Sequence, residues 1–339
     1  MAVGRVVILL ALAATACGRP SARAIVPAPT GETSGPSAAV TSVDLPAQGT
    51  GIALTPDGRR ALVATVGGVL VVDVDAGRVA EKIDAGDAPC AIAVAPDGRH
   101  AWVADLLSRN LTELDLRTDA ATARISLGGP RRPVLTPSVA VSGDGARVYA
   151  IDGAKENLLV VDAADQRVLH DQFLDIHPGG VAASRDGRLV YVAGCRLSCV
   201  DGEVLIVEAA SAAVTKRVRL PSAPSGLALS RDGRYAYVPH GREATVSVID
   251  LAGGSIATLA VDPHPVDVAV GRDGLLYVPS FASASLVVVD PATRQRVARV
   301  ALRNPAHGVA VSDDGRVYVT HAAKTLSIID MRHTHKEVS

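Results

Sequence analysis

The chain has little aromatic character: one Trp, six Tyr and two Phe among 339 residues. That is thin material for stacking nucleobases or caging a quaternary ammonium group. Net charge is also scarce, −1 at neutral pH from 34 basic and 35 acidic side chains. A nucleic-acid binder needs a strong basic excess on one face, so nucleic acid is not an expected partner. Beyond the N-terminus no apolar run is long enough for a membrane helix. Several motifs are missing as well. There is no GxSxG elbow, phosphate-binding loop, HExxH helix or EF-hand loop. What is present is a 48% hydrophobic fraction, ample for a large core and against disorder outside the chain ends.

The first residues read as a targeting segment. Arg5 precedes a short apolar run at 6–14 (VVILLALAA), too short to span a bilayer. Ala14-Thr15-Ala16-Cys17 follows and resembles a bacterial lipobox, with Ala14 where Leu is usual. On that reading Cys17 is lipidated and becomes the mature N-terminus; ordinary cleavage near Ala16 is the alternative. Residues 18–40 are rich in Pro, Ser, Gly, Ala and Thr, which suits a flexible tether. The expected location is a bacterial membrane, with the domain held on the periplasmic or cell-surface side.

An internal repeat dominates the rest. Asp-Gly pairs begin at Asp57, Asp97, Asp144, Asp186, Asp232, Asp273 and Asp314, spaced 40, 47, 42, 46, 41 and 41 residues apart. That is the period of a four-stranded propeller blade. Each unit has a small apolar inner strand (IAL, IAV, VAV, VAA, LAL), then Asp-Gly, then a second strand. Asp-Gly suits a tight hairpin because both positions tolerate positive φ. The third strand ends in Asp73, Asp115, Asp162, Glu208, Asp250, Asp290 or Asp330. These acids are expected to cap strand ends at turns, not to form a metal array. The last unit lacks a fourth strand, and 41–45 (TSVDL) supplies one from the other end. The predicted fold is therefore all-β, a seven-bladed propeller over 41–332 closed by an N-terminal strand, with a tail at 333–339. Closure removes open sheet edges, and a monomer is expected.

VYVTH at 317–321, YAYVPHG at 235–241 and VSVID at 246–250 resemble the YVTN family of β-propellers. The resemblance covers about residues 41–332 and implies the fold. Its members include surface-layer proteins, lactonase-like enzymes and accessory proteins of redox systems, so function has to be argued from a site.

In a propeller, the loop before the inner strand and the loop after the second strand open on one face, around the channel. Repeat position places His177, His264 and His307 on the first type of loop, and Asp105, Asp152, His240 and His321 on the second. Clustered His and Asp suit a divalent or transition metal, or acid–base chemistry. The plainer reading is a polar loop face whose His bond the backbone. Cys90 falls at the repeat position of His307, as a buried thiol or a soft metal ligand. Cys195 and Cys199 share one loop; in an oxidising compartment they are expected to form a disulfide, with a metal or redox pair as the rival. Three functions follow: a membrane-tethered binding module using its loop face, a lactonase- or lyase-like enzyme, or an accessory protein of a periplasmic redox or metal system.

Overall fold

The computed structural model describes residues 38–86, 88–108, 110–127, 138–196 and 199–331. Cys17, tether residues 18–37 and the C-terminal tail lie outside them; Ala39 and Val40, expected at the end of the tether, instead begin a strand. Within these residues the chain forms seven four-stranded antiparallel sheets and no helix: a seven-bladed β-propeller. Blades one to six span residues 49–83, 89–126, 139–173, 177–220, 228–260 and 269–301. Blade seven has three strands, at Ala306–Val311, Arg316–His321 and Thr325–Asp330. Its fourth is the N-terminal strand Ala39–Asp44, antiparallel to Thr325–Asp330 with Val43 opposite Leu326.

The Asp-Gly turns follow one pattern with one departure from expectation. Only the glycines take positive φ, from 66° at Gly98 to 85° at Gly315; none of the seven aspartates does. The Asp acts through its carboxylate instead. Asp57 accepts the Arg59 amide at 3.1 Å and the Thr55 hydroxyl at 2.5 Å. Ser142, Ser184, Ser230 and Ser312 bond Asp144, Asp186, Asp232 and Asp314 in the same way. The hairpin loop is thus built from side-chain caps plus one left-handed Gly. Third-strand acids behave as expected of turn caps: Asp73 accepts the Ala76 amide, Asp162 those of Ala164 and Asp165, Asp250 those of Ala252 and Gly253.

The core is divided among the blade interfaces. Seven apolar clusters each join two neighbouring blades, and the cluster joining blades seven and one contains Val43 and Leu45. Scarce aromatics are spent here. One second-strand position reads Leu62, Trp102, Tyr149, Tyr191, Tyr237, Tyr277 and Tyr318, all buried between blades. Apart from Tyr235, this leaves only Phe173 and Phe281 elsewhere.

Candidate functional site

The last residue of each second strand stands where the chain turns on the loop face. In order these are Thr65, Asp105, Asp152, Cys195, His240, Ser280 and His321, all buried. Each is engaged in holding that loop. The Thr65 hydroxyl donates to the Gly68 carbonyl at 2.7 Å. Asp105 accepts the Ser108 hydroxyl at 2.7 Å, and Asp152 accepts the amides of Ala154 and Lys155. Cys195 is bonded to Cys199, with an S–S distance of 2.04 Å. The Ser280 hydroxyl reaches the Asp262 carbonyl at 3.2 Å.

His240 and His321 use both ring nitrogens. His240 Nε2 lies 2.7 Å from Ser247 Oγ and its Nδ1 3.4 Å from the Ala223 carbonyl. His321 repeats this with Ser327 at 2.8 Å and the Asn304 carbonyl at 3.0 Å. A carbonyl only accepts, so Nδ1 carries the proton and Nε2 accepts from the serine. Burial holds both imidazoles below their ordinary range. They are neutral cross-ties between a second strand, a third strand and the incoming loop.

A second repeat position rings the channel. It reads Gly51, Ala91, Ser138, Gly180, Gly226, Asp267 and Gly308. Six blades keep it small; blade six places a carboxylate there. Asp267 accepts its neighbour Val268's amide at 2.8 Å and, across the blade boundary, that of Val309 at 3.1 Å. Ser138 accepts the Val181 amide at 3.3 Å from the matching place, so both side chains tie one blade to the next. Burial pushes the Asp267 carboxyl up to about 6 against those two hydrogen bonds. The sequence reading missed this residue. Its signal is present in the alignment of the seven repeats, as one acid in a column of Gly, Ala and Ser.

The half-buried His264 and His307 come together through an aromatic neighbour. His264 and Phe281 have ring centroids 5.6 Å apart at 51°; Phe281 and His307 stack at 5.8 Å and 12°. His264, in the left-handed region at φ 61° between two prolines, accepts the Phe281 amide on its carbonyl. His307 Nδ1 lies 3.4 Å from the Gly49 carbonyl and 3.5 Å from Gln48 Nε2, and burial keeps this ring too below the ordinary imidazole range. The result is a half-exposed His–Phe–His platform where blades six and seven meet the channel mouth. Phe281 was not anticipated.

His177 stands apart, paired with Glu156 at 2.8 Å near blades three and four. Cys90 is half-buried, and burial with Asp105 nearby pushes its thiol up to about 12, so it stays protonated. Among the described residues no three His, Cys, Asp or Glu side chains gather so as to hold a metal ion.

No family profile matches the chain, and no curated protein does. Among solved structures it is similar to the Kuenenia stuttgartiensis hydrazine synthase, with a TM-score of 0.76 and 20% identity. The match covers 85% of this chain and 96% of that one. At this identity the likeness is one of propeller fold.

Proposed function

We propose that the chain is an exported, membrane-tethered binding module whose partner docks on the loop face at the channel mouth. The observation that carries this reading is the His264–Phe281–His307 platform. Phe281 is withheld from the aromatic layer between blades and left half-exposed beside two histidines. Flat amphipathic rings on a rigid frame make contact surface at little entropic cost. The seven engaged second-strand termini supply that frame. The lactonase- or lyase-like and metal-accessory readings draw on the same His and Asp residues. His240 and His321 are already committed to Ser247 and Ser327, which leaves those readings fewer free groups. Cys17 and the tether fit display from a membrane.

A photoreactive residue at exposed Ala282, beside Phe281, tests the face in intact cells. A discrete adduct is expected from position 282, absent from a matching probe at Ala252 on the opposite face. The adduct should vanish when His264→Ala and His307→Ala are added to a still-folded protein. Equal labelling from both faces, or an adduct indifferent to the two histidines, overturns the reading. Cys17→Ser should release the protein from the membrane fraction.

A further inference from the structure

On the face opposite the channel mouth, a half-open groove of about 610 Å³ runs between blades five and six. This is within the usual size of small-ligand sites. Its inner wall is apolar, from Tyr237, Val248, Ala257 and Val270, and three exposed arginines line it: Arg231, Arg272 and Arg294. The wedge itself is a product of the repeat, because blades two and three form one at the matching positions, of about 440 Å³. The side chains differ. Where blade five has Val248, blade two has Glu113, which accepts the Gln166 amide at 2.7 Å and the Thr122 hydroxyl at 3.0 Å. That wedge is occupied by its own polar pair.

Repeat register shows how unusual the arginines are. The position of Arg294 is a left-handed turn residue, and its equivalents are Gly77, Asp119, Gln166, Ala212 and Gly254. None is a cation. The equivalents of Arg272 are Pro56, Pro96, Gly143, Arg185, Arg231 and Asp313. Among the described interfaces, only that of blades five and six draws three arginines from these columns. Arg231 also pairs with Asp313. No ion pair engages Arg272 or Arg294 among the described residues. The groove's carboxylates are already served by their own turns: Asp232 by Ser230 and Arg234, Asp250 by Ala252 and Gly253, Asp273 by Leu275 and the Tyr277 hydroxyl.

We propose that this groove binds an anion with a flat apolar body, of the aromatic carboxylate class. The ring lies against Tyr237 and Val248, and the carboxylate meets Arg272 and Arg294, whose planar guanidinium groups suit bidentate recognition. The site is separate from the loop face and stands or falls without it.

Calorimetric titration of the full chain with 2-naphthoate and its neutral amide tests the assignment. Naphthoate is expected to bind at one site, more tightly than the amide, and more weakly as salt rises. The double variant Arg272→Gln, Arg294→Gln changes only exposed side chains. It should weaken naphthoate fivefold or more while leaving the amide within twofold. Ala257→Phe, which fills the wall, should abolish binding of both probes. The proposal is overturned if naphthoate shows no binding at millimolar concentration. It is equally overturned if the double variant binds naphthoate as the parent does, or loses both probes alike.

Discussion

Asp267 carries a carboxylate into a column of small residues, and the two amides it accepts do not fully offset its burial. Its folded carboxyl sits at about 6, above the ordinary 3.8. The folded protein therefore holds this proton more tightly than the unfolded chain does. That stabilisation is complete below about pH 4 and is lost as pH rises towards 6; above that stability no longer changes through this group. Each tenfold difference in proton affinity is worth about 1.4 kcal/mol, so for this half-buried residue the change amounts to about 1–3 kcal/mol. Asp267→Asn keeps an oxygen for the Val309 amide and cannot titrate. Urea unfolding between pH 4 and 7 should show the parent losing stability relative to the variant across that window. Parallel curves would mean that the channel carboxylate does not titrate there. His240 and His321 act in the opposite sense. Their folded pKa values lie below the unfolded one, so they favour neutral pH and lose stability as pH falls from about 6.5.

At the scale of the element, the end of the second strand is one structural task solved with different chemistries. Two hydroxyls, two carboxylates, a disulfide and two imidazoles each pin a loop. The Cys195–Cys199 bond closes a ring of a few residues, which by chain entropy is worth about 2 kcal/mol. Replacing both cysteines by serine should lower stability by about 1–2 kcal/mol. It should also speed amide exchange in that loop of blade four while the other six blades keep their protection; a global rise in exchange would contradict a local staple. This element also shows what the sequence makes legible. The Asp-Gly period, the acid turn caps and the closing strand are all readable, because a repeat presents the same problem seven times. The loop face of His240 and His321 is readable from register too. Their commitment is harder to see, because it depends on the strand alongside. Yet there is a trace: Ser247 and Ser327 sit opposite Val238 and Val319. The matching residues in other blades are Leu70, Thr112, Leu159, Leu205 and Val287. Serine appears only in the two blades with histidine. The Phe281 platform is not legible in this way, since it brings together side chains 17 and 26 residues apart that occupy three different repeat positions.

For the whole molecule, the ring depends on a short strand that precedes all seven repeats. Ala39–Asp44 shields the edge of Thr325–Asp330 and inserts Val43 into the interface between blades seven and one, where it is 3% exposed. Most of the strand's other side chains are exposed, so its hold on the ring comes from the backbone ladder together with Val43 and the adjoining Leu45. Burying Val43 contributes about 2 kcal/mol, and a carboxylate in its place would add the cost of desolvating a charge without a partner. Val43→Asp should therefore destabilise the protein by about 4 kcal/mol or more, a fall in melting temperature of roughly 6–10 °C for a domain of this size. The effect should reach beyond blade seven, because an open ring exposes a strand edge to other copies. Thr41→Asp, an exposed change in the same strand, should leave melting within a degree or two. Size-exclusion chromatography then separates two accounts of the strand. If Val43→Asp melts early and self-associates while Thr41→Asp stays monomeric, the strand is a closure whose one buried side chain holds the ring shut. If both variants melt like the parent, blade seven is stable with three strands, and the N-terminal segment serves only to reach the fold.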